Sequence, residues 1–170
     1  MIQFLQISVS IIFFANKLFV LLGKRAGWIF GAIAATLALF YFYKIDLYVY
    51  TTLEAGLIML MLYGFFPKRS KQAELWIRIL VALTMTVIGY YAFSGYITIV
   101  EFVSSIFLLW GTYLLANKKL IFGWSAYIIA HALAAILGYK VGQIFFADFQ
   151  LASVIVAIAG LVISLRPIKK

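Results

Sequence analysis

Glu54, Gln150 and His131 are polar side chains set inside long apolar stretches, and they are where this chain has chemistry to offer. A charged group at mid-membrane costs at least about 2.5–3.5 kcal/mol, so it faces a protein interior or a water-filled cavity rather than lipid. Glu54 lies roughly eight residues into its stretch, about 12 Å from the outer end at the rise of a helix. Tyr50 sits one turn outward of it. A buried carboxylate beside aromatic rings suits a flat cation, through ion pairing and a cation–π attraction of about 0.5–2 kcal/mol per ring. The plainer reading of Glu54 is a hydrogen-bonding residue between two helices. His131, the one histidine in the sequence, falls near the middle of its stretch, with Tyr127 a turn before it and Ala135 a turn after.

Weaker candidates follow. Asn16 is an amide at bilayer depth, and such a group seeks another polar partner. Trp110 lies inside a stretch rather than at its end, so it is either a stacking surface or a packing residue. Glu101 stands near the outer leaflet and heads a mildly polar helical stripe of Ser105, Leu108 and Thr112. Asp148 is similarly shallow, and a role for it in binding is weaker still. Together these residues make no catalytic constellation. No histidine–carboxylate cluster has metal spacing, and neither a nucleophile elbow nor a phosphate-binding loop is present. The expectation is therefore a binding site without enzyme activity, metal or cofactor.

The elements that must position these residues are membrane spans. The 170-residue chain is 66% hydrophobic and 11% charged, against roughly 45–50% and 25% in soluble domains. A span needs about 20 apolar residues. Seven stretches qualify: Ile2–Leu22, Gly27–Tyr43, Leu47–Phe66, Glu74–Phe93, Tyr96–Ala116, Ile121–Tyr139 and Gln143–Leu165. Glycine-, proline- and lysine-bearing breaks separate them, such as Gly23-Lys24-Arg25 and the Pro67–Lys71 loop. No cleavable signal is expected, because the first stretch lacks a basic leader.

The two ends of the chain echo each other. Gly27-Trp28 recurs as Gly123-Trp124, Tyr43-Lys44 as Tyr139-Lys140 and Gly64 as Gly160, each 96 residues on. Val9-Ser10 recurs as Val103-Ser104 at an offset of 94, which pairs Asn16 with Trp110. Glu74–Phe93 has no counterpart. The predicted fold class is thus an all-α membrane protein of seven helices. Residues 1–72 form a first three-helix repeat, 73–95 a connecting helix and 96–170 a second repeat. Three spans, one span and three spans make the repeats parallel, as in one class of secondary transporters. The 96-residue offset sets Glu54 opposite Gln150 at one depth, with Tyr50 and Phe146 matched one turn outward. The His131 face reads Tyr127, His131, Ala135, where the equivalent face of the second stretch reads Gly27, Gly31, Ala35, a small-residue pattern that allows close helix approach.

A net charge of +9 fits the positive-inside rule better than a nucleic-acid partner. Twelve basic residues, with Lys17 and Arg78 counted as snorkelling, fall on the side of the loops after spans one, three and five and of the chain's end. Only Lys44 and Lys140 fall on the other. The N-terminus is predicted outside and the C-terminus in the cytoplasm. Trp28, Trp76, Trp124, Tyr41, Tyr43, Tyr90 and Tyr139 lie near predicted interfaces and read as an aromatic belt.

Gly27-Trp28-Ile29-Phe30-Gly31, Leu47-Tyr48 followed by Leu53-Glu54, Tyr63-Gly64, and Leu114–Lys119 running into Gly123-Trp124 bear a resemblance. With these motifs in this order, the chain resembles the PnuC family of vitamin transporters, which have a full-length SWEET-like fold. The resemblance implies facilitated uptake of nicotinamide riboside, thiamine or another vitamin precursor across a bacterial inner membrane. A cytoplasmic kinase, not itself a physical partner, then traps the substrate. The family usually carries glutamine at the position of Glu54, and a tryptophan-rich end where this chain reads Phe65-Phe66-Pro67. From Glu54, the cationic vitamins rank first. The site expected on this reading comprises Glu54, Gln150, His131, Tyr127, Tyr50, Trp110, Asn16 and Glu101, with membrane lipid around the chain and a homo-oligomer left open. A SWEET-type sugar transporter and a non-transporting membrane subunit, docked through the Pro67–Lys71 loop, are the competing classes.

Overall fold

The computed structural model describes residues 2–44, 46–66, 70–95, 97–140 and 142–166, with side chains from Phe4 onward. Lys68, Arg69, Lys169 and Lys170 of the charge count, Pro67 of the predicted loop, Tyr96 at the predicted start of the fifth span, and Ile45 and Val141 of two predicted breaks lie outside the described residues. Seven helices run through the rest: α1 (Ile2–Leu21), α2 (Ala26–Lys44), α3 (Tyr48–Phe65), α4 (Lys71–Phe93), α5 (Ile99–Ala116), α6 (Leu120–Lys140) and α7 (Ile144–Leu165). All seven are long and apolar enough to cross a membrane.

Capping chemistry explains where the helices depart from the hydropathy reading. Helix α4 starts at Lys71 rather than Glu74, because the Ser70 side chain accepts from the Ala73 amide at 3.1 Å. Helix α5 starts at Ile99, because Thr98 and Glu101 form a capping box that satisfies two of the free amides at its start. The loops share a backbone device. Gly23 (φ 68°) and Lys118 (φ 59°) turn the chain after α1 and α5, while Asp46 (φ 58°) and Gly142 (φ 73°) turn it after α2 and α6.

Six helices close a ring. Helix α1 packs on α2, α2 on α3, α3 on α5, α5 on α6, α6 on α7, and α7 returns to α1. Helix α4 stands outside and packs on α3 and α5, where Thr84 fits against Gly56. The helices at the centre of each half are rich in small residues. Ala34, Ala35 and Ala38 of α2 and Ala130 and Ala135 of α6 are almost fully buried, which lets neighbours approach from both sides. Two tryptophans set the same contact in each half. Trp28 lies against the backbone of Gly64, and Trp124 against that of Gly160. Trp124 and Tyr41 are thus buried, and Trp28 is half-buried, so these three pack inside instead of joining an aromatic belt. Trp76, Tyr43, Tyr90 and Tyr139 are exposed, where belt residues belong.

The distribution of polarity is the reverse of a soluble protein's. Phe4, Ile11, Phe40, Leu83, Phe122 and Ile155 are each more than half exposed, whereas Asn16, Lys17, Glu54, His131 and Ser153 are each at most 7% exposed. Apolar side chains face outward and polar ones face the ring's interior. That arrangement suits a hydrocarbon solvent, in which a polar group finds partners only inside the protein.

Candidate functional site

The ring encloses a cavity, and all six of its helices supply walls while α4 supplies none. Six of the eight residues predicted for the site line it: Asn16, Tyr50, Glu54, Tyr127, His131 and Gln150. It offers about 50 Å³ to the centres of water molecules. A few waters fit in that space and a nucleoside does not, so the ring must open to admit a larger solute.

Aromatic rings cover one end. Phe42 stacks on Tyr50 at 5.1 Å between centroids and meets Phe146 edge-on at 6.4 Å. These rings come from the end of α2 and the beginnings of α3 and α7, so one end of the ring supplies them all. Farther in lies Glu54, 4% exposed, with no hydrogen-bond partner for Oε2. Buried polar atoms are nearly always paired, and an unpaired one calls for an explanation such as a ligand. The Tyr50 hydroxyl and His131 Nε2 are also buried and unpartnered.

His131 and Gln150 do face one cavity, but Gln150 is committed to the histidine instead of reaching across to Glu54. Its Oε1 stands 2.6 Å from His131 Nδ1. A carbonyl oxygen only accepts, so Nδ1 carries a proton and, in the neutral ring, Nε2 presents a lone pair. The Tyr127 ring lies edge-on to His131 at 5.1 Å. Thr112 gives its hydroxyl proton to the Leu108 carbonyl at 2.8 Å, which makes Tyr127 the donor in their 2.8 Å bond. Asn16 donates to the Gly27 carbonyl at 2.8 Å and lies against Met61. A Cβ on Gly31 would stand 2.7 Å from the Asn16 amide nitrogen. The room that α2 leaves there is filled in α6 by Tyr127, at the matching position.

Trp110 and Glu101 do not reach the cavity. Trp110 is 44% exposed and packs on Phe107 at the outer side of α5. Glu101 is spent on the α5 cap, accepting from the Thr98 amide at 2.6 Å and its hydroxyl at 2.8 Å. Asp148 is exposed and accepts from Tyr139 at 2.5 Å. A Glu101→Ala variant should therefore lose about 0.3–1.5 kcal/mol of stability, the worth of such a cap. The melting curve of the purified variant checks that expectation.

Cavity-lining residues of α1 and α5 fall 95 residues apart, not 94: Val9 and Ser104, Phe13 and Leu108, Lys17 and Thr112. At that spacing Asn16 pairs with Gly111 in place of Trp110, and the missing side chain of Gly111 makes room for the Tyr127 ring.

Lys17 is the residue that sequence reasoning misplaced. It does not snorkel towards the surface. It turns into the ring, 7% exposed, and donates to Ser153 of α7 at 2.7 Å. Ser153 in turn donates to the Phe149 carbonyl at 2.8 Å. Only its charge at that depth signalled a role, and the same depth permits snorkelling. Lys17 and Glu54 line one cavity, yet no ion pair within 4.0 Å joins them among the described residues. The site thus holds an acid and an amine held apart, among aromatic and hydroxyl groups. No protein family, curated protein or solved structure matches this chain.

Proposed function

We propose that this chain is a membrane transporter, a facilitator that takes up a small aromatic cation of the vitamin-precursor class across a bacterial inner membrane, with nicotinamide riboside as first choice and thiamine next. The observation that carries this reading is Glu54. Its carboxylate has an unpartnered oxygen inside an enclosed cavity walled by six helices, beneath a cover of aromatic rings. A flat cation meets there both a counter-charge and ring faces. Sites of this kind, between the repeats of a helical bundle, are where secondary transporters bind solutes.

The transporter architecture has further support in the matched contacts of the two halves. Trp28 on Gly64 corresponds to Trp124 on Gly160. The amide of Leu47 donates to the Phe42 carbonyl at 3.0 Å, as that of Gln143 does to Gly138 at 2.8 Å. These pairs keep the 96-residue spacing, and α4 stands outside the ring they help build. Two parallel three-helix repeats joined by α4 account for them, and rocking of one repeat against the other would open the cavity to each side in turn. With Lys17 inside the ring, the basic count becomes eleven to two. The bias still favours the N-terminus outside.

Thermal unfolding of the purified protein across a panel of nicotinamide riboside, thiamine, riboflavin and simple sugars tests the function, since a ligand that binds only the folded state raises its melting temperature. The cationic vitamins should stabilise it, and liposomes bearing the protein should take them up. Stabilisation by sugars alone would identify a sugar carrier. Liposomes that take up none of the panel would leave the non-transporting subunit.

A further inference from the structure

We propose that Lys17 is the resident cation of the cavity, and that an organic cation entering against Glu54 displaces one proton from it, so that the chain exchanges its solute for a proton. This rests on the proposed function for its cationic solute, and replaces uncoupled passage with exchange for a proton. The starting observation is that an amine and a carboxyl group line one small cavity with no ion pair between them. Each is costly to bury alone, and together they leave the interior neutral. A facilitator that passed the cation alone would place a second positive charge in that interior, with one carboxylate between the two. Loss of a proton from Lys17 restores neutrality. The Nζ–H bond breaks, the electron pair stays on nitrogen, the proton leaves through water, and Glu54 becomes the counter-ion of the solute.

The surroundings of Lys17 permit this. Its partner Ser153 has its own proton engaged with the Phe149 carbonyl. The serine oxygen therefore accepts from an ammonium and, more weakly, from a neutral amine, so it keeps a contact with Nζ through the change. Helix α1 packs on α2 and α7. Helix α2 turns only Phe42 into the cavity, and its ionisable Tyr41, Tyr43 and Lys44 do not line it. On α7, Asp148 is engaged with Tyr139 outside the cavity. The ionisable groups that do line it are Tyr50 and Glu54 of α3 and Tyr127 and His131 of α6. His131 donates from Nδ1 to Gln150, and Glu54 is the one carboxylic acid among them. In the return step the emptied cavity takes a proton back on Lys17 from the side where the solute left.

Wild-type protein in sealed liposomes decides the matter with nicotinamide riboside and thiamine as probes. One-for-one exchange makes the interior-to-exterior solute ratio equal to that of protons. An interior more acid by one pH unit should then concentrate the cation about tenfold, and an imposed membrane potential should add nothing. Accumulation that follows a negative interior and ignores the pH gradient would overturn the exchange while leaving the transporter reading intact. Failure of either cation to bind or enter would remove both. Titration calorimetry in two buffers of different ionisation enthalpy counts the protons directly. About one should leave wild type per cation bound and none should leave Lys17→Met, and a proton still released by that variant would exclude Lys17 as its source.

Discussion

Glu54→Ala should abolish uptake of a cationic solute while the chain still folds and inserts. Truncating one partner of a buried charge pair between protein and ligand costs about 2–5 kcal/mol of binding, which is roughly thirtyfold or more in affinity. The effect is amplified here, because Lys17 stays behind in the same cavity. Without the carboxylate the proposed solute would lose its counter-charge and share the cavity with the Lys17 amine. Glu54→Gln keeps the shape and removes the charge, and it should fail equally. A combined Lys17→Met and Glu54→Leu variant removes both charges. It should be no less stable than wild type, since apolar replacement of buried ion pairs is often neutral or stabilising, and it should not transport. Folding is read from the melting curve and transport from liposome uptake. Undiminished transport by Glu54→Gln would dismiss the carboxylate as the recognition point.

Gly160→Ala should be the more damaging of the two glycine-to-alanine substitutions at the tryptophan contacts. A Cβ at Gly160 would overlap the indole of Trp124, as one at Gly64 would overlap that of Trp28. Overpacking of this sort typically costs about 1–3 kcal/mol, occasionally more. The two sites are alike in contact and differ in what lies behind the ring. Trp124 is 3% exposed, with Tyr127 against it at 5.9 Å between centroids. It has nowhere to retreat. Trp28 is half-buried and can swing outward. Gly160→Ala should therefore lower the melting temperature more than Gly64→Ala, and trimming the ring with Trp124→Leu should restore part of the loss. Equal destabilisation at the two glycines would show that the tryptophans are equally confined.

These expectations join one function to one scaffold. Glu54 and Lys17 set the charge balance of the cavity, whereas Trp28 and Trp124 fix the spacing of the helices that enclose it. Glu101 shows the contrast. It is an acidic residue in a membrane span, and its oxygen is used up at a helix end.

Much was legible before any coordinates. Seven apolar spans, the polar residues within them, and the isolation of α4 from the rest follow from the sequence, because burial of hydrocarbon and the cost of charge in lipid depend on residue type and position along the chain. Six of the eight residues expected at the site line the cavity for that reason. Rotation of each helix about its own axis was decided by tertiary packing alone. One residue turns a side chain by about 100° around a helix, so an offset of 94 in place of 95 was enough to point Trp110 inward in expectation when Gly111 occupies that place. The same freedom left Lys17 undetermined between surface and interior. Ser153, brought alongside from α7 by closure of the ring, holds it inside together with the Phe13 ring.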